Sequence, residues 1–328
     1  MEKNIATYRK DWLDSLRAVA IMLVVFGHQV PWAESYFAYT SPVKIPLFFA
    51  ISGYLFKVRD GKFSTFAVNL FKKLIFPYFA LSFISAIMSF PLTGKNVFIN
   101  NCYGIVSGDT FWFMPCLIIG EIVFFALNRI ARNQLVLGIL SLIMFVVGMI
   151  LLNYGIGTFG MFNIALQVQL YLYMGLMFKK HEETLGRIKE QWLALGGLLY
   201  IVLCYLGHRF SFTDSFDPHL GDYDNIPFVF SLILLGNTLL FSIAPHIRHW
   251  PTVVTYIGRN TLIIYLWAGW GITVFNIFIR LAKFDIQDQM LRAPFEFVSA
   301  IAFCCICALF INRYIPILVG KSSKKNSI

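Results

Sequence analysis

Two ionisable side chains, Arg17 and His28, interrupt the first long apolar stretch of the chain, DWLDSLRAVAIMLVVFGHQV. An imidazole can accept or donate a proton near neutral pH, and a guanidinium binds anions such as carboxylates and phosphates. Eleven residues of an α-helix rotate by about 1100° and rise by about 16 Å, so the two side chains share one stripe of the helix. Asp14 falls about 40° from His28 by the same arithmetic and extends the stripe. Such a stripe predicts a helix with one side facing a water-filled cavity or the interior of a helix bundle.

The energetic cost of these groups indicates a function for them. A charged Arg near the middle of a bilayer costs roughly 2.5–3.5 kcal/mol on insertion scales, and crossing a membrane does not require it. The alternative is structural: Asp14 and Arg17 anchor the helix at the inner interface, and His28 is a hydrogen-bonded core residue. Spacing alone does not separate the two interpretations.

The composition places this helix in a membrane protein. Hydrophobic residues make up 58% of the 328 residues, aromatic residues 17% and charged residues 13%. Soluble globular chains carry about 25% charged and about 45–50% apolar residues, so a water-soluble core could not hide this much apolar surface. We expect an all-α, polytopic integral membrane protein. The net charge of +10 does not indicate nucleic-acid binding, because the basic residues lie between apolar stretches.

About ten apolar stretches are candidate membrane-spanning helices, since about 20 apolar residues cross a bilayer as a helix. The candidate spans are residues 13–31, 43–57, 74–92, 111–128, 134–153, 159–178, 191–207, 226–244, 260–280 and 294–319. The second is short, so it is tilted, re-entrant or extended at one end. Together the spans predict one bundle of about ten transmembrane helices, with residues 1–328 forming a single domain.

The loops between the spans predict the orientation of the chain. Most of the 27 Lys and Arg residues lie in alternate loops, together with both ends of the chain. Because cytoplasmic loops carry the surplus of Lys and Arg, this side is expected to face the cytoplasm. Residues 1–12 are then a cytoplasmic N-terminal segment and residues 320–328 a basic cytoplasmic tail, and an even number of spans agrees with both.

The spacing of Arg17 and His28 resembles the signature of the membrane-bound acyltransferase-3 family. Further motifs resemble those of the family in the same order along nearly the whole chain: its Phe-Phe-x-x-Ser-Gly-aromatic motif, its basic pair before Pro, its aromatic start to a middle span and its penultimate segment. They lie at 48–54, at Lys72-Lys73 before Pro77-Tyr78, at 111–113 and at 256–265. One position departs: the penultimate segment of the family commonly carries His shortly after Tyr, where Trp267 stands here.

The resemblance implies an enzyme of the inner (cytoplasmic) membrane. Members of this family transfer acyl groups, usually acetyl from acetyl-CoA, to hydroxyls of cell-surface polysaccharides and related sugars. Carried over to this sequence, His28 is the catalytic histidine and Arg17 its essential partner, while Ser52 and Gly53 belong to the Ser-Gly motif. Acetyl-CoA is then a substrate, and neither a permanently bound cofactor nor a metal is expected.

These residues suggest a mechanism. Burial favours the neutral imidazole, so His28 is expected to accept the proton of a sugar hydroxyl, which attacks the thioester directly. Transfer through an acyl-histidine is the alternative. We expect Lys72 and Lys73, with Arg17 deeper in, to bind the phosphates of CoA from the cytoplasm. The alternative for the two lysines is that they only mark the cytoplasmic side.

Several further side chains are weaker candidates. Asp14, Glu34 and Glu121 are possible acidic or orienting residues, and Glu121 lies within a predicted span, where a carboxylate needs a partner. Trp112 and Trp270 can stack on a sugar ring, although interfacial belts and packing explain most aromatic residues of membrane proteins.

Two other functions are compatible with the sequence. Intramembrane Arg and His residues also occur in transporters, so a transporter or flippase for a lipid-linked sugar is one alternative. No inverted repeat or pair of broken helices, which would favour transport, is detectable. An O-succinyltransferase of the same fold is the other alternative.

Overall fold

The structure is a computed structural model that describes residues 10–30, 33–57, 62–213, 216–217, 222–223, 225–247, 249–284, 286 and 288–321. Most of the predicted N-terminal segment 1–12 and of the predicted tail 320–328 lies outside the described residues. The helices are α1 (Asp11–Gly27), α2 (Glu34–Leu55), α3 (Phe63–Leu70), α4 (Phe76–Ser107), α5 (Phe113–Ile130), α6 (Gln134–Asn153), α7 (Phe162–Gln167), α8 (Gln169–Lys180), α9 (Glu182–Gly186), α10 (Glu190–Arg209), α11 (Ile226–Ile243), α12 (Thr252–Arg259), α13 (Thr261–Ala282) and α14 (Gln289–Tyr314). Strands β1 (Phe216–Asp217) and β2 (Asp222–Tyr223) form a short antiparallel pair. The predicted all-helical architecture is confirmed, with this pair as a minor addition.

Many of these helices are able to cross a membrane. Within the described residues, seven elements are long and apolar enough, and the bent segment containing α7 and α8, with an angle of 49°, makes an eighth. The seven are α3 continued by α4, then α5, α6, α10, α11, α13 and α14. The chain is therefore a multi-pass membrane protein, as its composition predicts.

The first two predicted spans are helices of unusual character. α1 has 17 residues, slightly fewer than the about 20 that a bilayer requires. α2 contains two prolines and Lys44, and it is longer than predicted because it begins at Glu34. The short second span of the sequence is thus extended toward its N-terminus.

Gly94 reverses the direction of the chain within α4. Its φ of +80° lies in the left-handed region, which glycine adopts without a steric penalty. Tyr78 on the first arm donates a hydrogen bond of 2.7 Å to the carbonyl oxygen of Ile105 on the second arm, and the rings of Phe90 and Phe98 pack 5.5 Å apart across the turn. The sequence predicts a span followed by a loop, whereas the structure has a second helical arm lying against the first.

Glycines let the helices around α1 and α2 approach at backbone distance. A Cβ added to Gly53 would lie 1.9 Å from the carbonyl oxygen of Leu172, so α2 and α8 touch there. A Cβ added to Gly258 would lie 1.6 Å from the carbonyl oxygen of Asp14, so α12 touches α1. Small residues commonly permit such contacts between membrane helices. The polar stripe of α1 is therefore held by backbone contact as well as by side-chain packing.

An ion-pair cluster joins the chain just before α1 to α9. The Glu182 carboxylate accepts hydrogen bonds of 2.6 Å from the Tyr54 hydroxyl and from the Lys10 ammonium. Burial by itself would raise the pKa of this carboxyl, but the hydrogen bonds from Lys10 and Tyr54 outweigh it and hold the pKa of Glu182 below its usual range.

We expect Glu182→Gln to lower the stability at neutral pH by about 1 kcal/mol or less, because the pair is partly exposed to water. The folded-state pKa is depressed, so the stabilisation is complete above the unfolded-state value of about 4.3 and is lost as the pH falls through the folded-state value. Thermal unfolding temperatures in detergent should therefore differ at neutral pH and converge in acid. Glu183→Gln, at a neighbouring side chain that is 90% exposed, is the control. A difference that persisted in acid would contradict the role of the ionised carboxylate.

Candidate active site

Adjoining cavities open beside the polar side of α1 in the described part of the structure. The first, of about 490 Å³, lies between α2, α3 and α5. The second, of about 210 Å³, lies between α1, α2, α5, α12 and α13. Both are lined by Arg17, Ser52, Lys73, Leu74 and Leu117, so they lie side by side, and together they are called the recess. We call them the first and second basic cavities.

The lining of this recess is strongly cationic. Its positively charged residues are Arg17, Lys57, Lys73, Arg259 and Lys321. Among the lining residues that the structure describes, Glu121 in the first basic cavity is the acidic one. Cations gathered in a cleft focus the electric field and raise the local concentration of anions. The recess is therefore suited to an anionic ligand.

A buried carboxylate orients two of these cations. Asp14 is only 2% exposed, and its oxygens pair with Arg17 Nη1 at 3.3 Å and with Arg259 Nε at 3.1 Å. Arg259 Nη2 also contacts the Asp11 carboxylate at 2.7 Å. Charge-assisted hydrogen bonds are roughly twice as strong as neutral ones, so this network holds both guanidiniums at the second basic cavity. Helical spacing predicts the proximity of Asp14 and Arg17, but it gives no sign of Arg259.

The residues of α1 that face the recess form one stripe. Arg17, Ile21 and Val24 line the second basic cavity, and His28 follows one turn beyond Val24, still in a right-handed helical conformation. One such turn is a rise of about 6 Å. His28 therefore lies on the side of α1 that faces the recess, and it is not among the described lining residues of either basic cavity.

The surroundings of His28 differ from the sequence expectation. Its apolar neighbours predict a buried imidazole, but the side chain is exposed. α1 also ends at Gly27 rather than continuing to residue 31, so His28 caps the helix instead of lying within it, while Gln29 and Val30 beyond it are buried again. Glu34, predicted to stand at the mouth of the same span, is instead the first residue of α2 and is also exposed.

The predicted lysine pair is divided by the local helix geometry. Lys72 and Lys73 lie in the π-helical turn Phe71–Ile75 between α3 and α4, and such turns occur frequently at functional sites. Both side chains are exposed, but Lys73 lines both basic cavities, whereas Lys72 is not one of the described lining residues. The backbone carbonyl of Lys72 lies against Gly320 instead. Of the two, Lys73 is the one positioned to meet a ligand in the recess.

Trp267, at the position where the resembling family commonly carries His, has a structural contact. Its side chain is buried, and its indole N–H donates a hydrogen bond of 3.1 Å to the carbonyl oxygen of Leu81. This bond holds α13 against the first arm of α4. Ser52 and Glu121, in contrast, lie in the recess with Arg17 and Lys73.

The fold and the recess define a multi-pass membrane protein with a basic cleft, lined by a stripe of α1 that continues toward His28. A comparison with protein families shows which chemistry accompanies this arrangement: the family model described as an acyltransferase domain matches residues 10–311. The chain belongs to the acyltransferase-3 family and is an acyltransferase of a membrane, which acts on an acyl donor and an acceptor. Comparison with characterised proteins and with solved structures gave no match.

Proposed function

We propose that the protein transfers an acetyl group from cytoplasmic acetyl-CoA to a hydroxyl of a surface polysaccharide or a lipid-linked sugar. The observation that carries this function is the basic recess, whose lining continues along one stripe of α1 toward His28. Cations at one end suit the phosphates of a CoA thioester, and an imidazole at the other end suits proton transfer from a hydroxyl. Membership of the acyltransferase-3 family supplies the acyl-transfer chemistry.

The donor fits the recess by its charge and by its extended form. CoA carries its phosphates at one end and its thioester at the other. Arg17, Lys73 and Arg259 bind the phosphates in this arrangement, because guanidinium and ammonium groups are the usual phosphate ligands of proteins. The apolar side chains of Ile21 and Val24 then line the path of the acyl end toward His28. Acetyl-CoA acts as a substrate, so the reaction requires no permanently bound cofactor.

The proposed reaction is a direct displacement at the thioester carbonyl. His28 takes the proton of the acceptor hydroxyl while the hydroxyl oxygen forms a bond to the carbonyl carbon. The carbon–sulfur bond then breaks, and the CoA thiolate takes the proton back from the imidazolium. The products are an O-acetyl ester and free CoA. General-base assistance of this kind typically accelerates a reaction by about 10²–10⁴-fold.

The reaction also requires an orientation in the membrane. We place the chain as a single domain of ten spans in the cytoplasmic membrane with both termini in the cytoplasm, which the distribution of Lys and Arg favours. The mouth of the recess at Lys57 and Lys73 then opens toward the cytoplasm, where CoA is made. His28, about 16 Å along α1 from Arg17, lies toward the opposite face, from which a surface glycan arrives.

Acetyl transfer can be measured directly in membranes that contain the protein. The membranes are incubated with radiolabelled acetyl-CoA, and base-labile label is counted in the extracted glycans. Label that depends on the protein supports O-acetyl transfer. Label from succinyl-CoA but not from acetyl-CoA would identify a succinyltransferase instead. Absence of label from both donors, with the protein present at its normal level, would contradict the proposed reaction.

Charge reversal at Lys73 is expected to raise the KM for acetyl-CoA by about tenfold or more, because a charge-assisted phosphate contact contributes about 1.5–3 kcal/mol. The kcat should change less, since a contact made equally in the bound and transition states affects mainly KM. Lys72→Glu is the matched control, with the same change of charge one residue away and outside the recess. Equal increases in KM for both variants would show that general surface charge, and not a contact in the recess, attracts the donor.

A further inference from the structure

A third cavity, of about 520 Å³, lies between the two arms of α4, the segment before α5, and α13. Its polar lining residues bear hydroxyl or amide groups, and its aromatic ones are Phe111, Tyr265 and Trp270. The hydroxyl and amide residues are Ser82, Ser85, Ser89, Thr93, Asn101, Thr110 and Thr273. Among the described lining residues, none is Asp, Glu, Lys, Arg or His. We call it the neutral cavity, and its volume is typical of small-molecule sites, which are about 300–1,000 Å³.

Tyr265 separates the neutral cavity from the second basic cavity and lines both. Its hydroxyl accepts a hydrogen bond of 3.3 Å from the backbone N–H of Phe113, and its ring packs edge-on against Phe111 and Phe113. α13 runs from one cavity to the other, with Thr261 on the basic side and Trp270 on the neutral side. Their separation of nine positions corresponds to a rise of about 13.5 Å along the helix. Ligands in the two cavities would therefore lie on either side of Tyr265.

Several hydroxyl and amide groups of the lining are open to a ligand. Ser85, Ser89 and Asn101 are partly exposed. Ser82, in contrast, is 0% exposed and its Oγ is closed to a water-sized probe, so it lies behind the cavity wall. The Trp270 indole nearby on α13 is held by a hydrogen bond of 2.9 Å from its Nε1 to Ser85 Oγ. This bond fixes the orientation of a flat apolar ring at the cavity wall.

We infer that the neutral cavity binds the acyl acceptor as an uncharged, hydroxyl-rich ring, that is, a neutral carbohydrate; this rests on the proposed function. An ionised group would lose its hydration in this cavity without meeting an opposite charge. Sugar hydroxyls match the donors and acceptors of Ser, Thr and Asn, and the apolar face of a sugar ring matches the Trp270 indole. The acceptor then lies beside the second basic cavity, which Ile21 and Val24 line. These two residues belong to the stripe of α1 that leads to His28.

The binding can be measured without the donor by saturation-transfer NMR on the full chain in lipid nanodiscs. The probes are the methyl glycosides of glucose, galactose and mannose, with methyl glucuronide as the charged comparison. We expect saturation transfer to at least one neutral glycoside and none to the glucuronide. Trp270→Ala should weaken binding about fivefold to tenfold, whereas Trp192→Ala, at an exposed position on α10, should leave it unchanged.

Asn101→Ala separates a binding role from a structural one, because Asn101 is a partly exposed residue of the lining. Removing its amide should leave the unfolding temperature close to the wild-type value, while binding of the neutral glycoside weakens. Equal binding by wild type, Trp270→Ala and Asn101→Ala would overturn the inference, as would tighter binding of the glucuronide or no binding of any neutral glycoside. Acetyl-CoA affinity, measured on the same samples, tests the proposed donor independently, so a failure of the acceptor site is distinguished from a failure of the acetyltransferase itself.

Discussion

Replacing His28 with alanine is expected to lower kcat for acetyl transfer by roughly 10²–10⁴-fold, the usual contribution of a positioned general base. The affinity for acetyl-CoA should remain within about twofold of the wild-type value, because the cations that line the recess are unchanged and His28 lies one turn beyond it. Both quantities are measured on the purified protein in nanodiscs, the first with labelled acetyl-CoA and glycan and the second by equilibrium binding.

The control for this variant is His181→Ala, which removes an exposed imidazole at the start of α9, on an element that contributes no described residue to the cavities. It should retain full activity. Unchanged acetyl transfer by His28→Ala would exclude the proposed base. A parallel loss of acetyl-CoA affinity would point instead to damage of the recess, and it would place His28 in the structure of α1 rather than in the reaction.

The membrane helices are the part of the structure that the sequence predicts best. Each predicted span overlaps a helix of the described structure, and seven or eight of these helices are long and apolar enough to cross a membrane. The reason is that a chain in lipid must satisfy its own backbone hydrogen bonds and does so over about 20 apolar residues. The sixth helix agrees at both ends, predicted over 134–153 and found at Gln134–Asn153. The stripe on α1 follows equally from a local rule, since His28 continues the right-handed helical backbone of α1 by one residue.

The sequence does not predict the contacts between distant parts of the chain. Asp14 and Arg259 are 245 positions apart. From the sequence alone, Arg259 cannot be distinguished from the other basic residues of the predicted cytoplasmic loops. The available signal was its place in the segment 256–265, which resembles the penultimate motif of the family. The reversal at Gly94 was hidden for a related reason: apolar length predicts a span, but it does not reveal whether the following residues return along it.

The sequence predicts one wall of the neutral cavity. Ser82, Ser85, Ser89 and Thr93 recur at spacings of three and four, which places them on one face of α4. Small hydroxyl residues at such spacing also occur where membrane helices simply pack together. The second arm of α4 and Trp270 on α13 are what turn this face into a cavity, and both depend on tertiary structure.

Asp14→Asn is expected to be the most destabilising of the charge-removing substitutions considered. Removing one partner of a buried ion pair typically costs about 3–5 kcal/mol, because it leaves the opposite charge uncompensated. Here the amide would face two guanidiniums, Arg17 and Arg259, which the carboxylate now separates and neutralises. Both retain some contact with water, at 28% and 39% exposure, so the lower end of that range is expected. A clear fall in the thermal unfolding temperature is the measurement.

Asp11→Asn is the matched control, because Asp11 pairs with the same Arg259 at 2.7 Å but is 61% exposed. An exposed pair contributes about 1 kcal/mol or less, so this variant should unfold close to the wild type. Equal destabilisation by the two variants would mean that the pairing with Arg259, and not the burial of Asp14, determines the loss. The KM for acetyl-CoA should also rise in Asp14→Asn and not in Asp11→Asn. The reason is positional: the contact of Gly258 with the Asp14 backbone keeps α12 against α1, so the two guanidiniums can relieve their repulsion only by turning away from the cavity that they line.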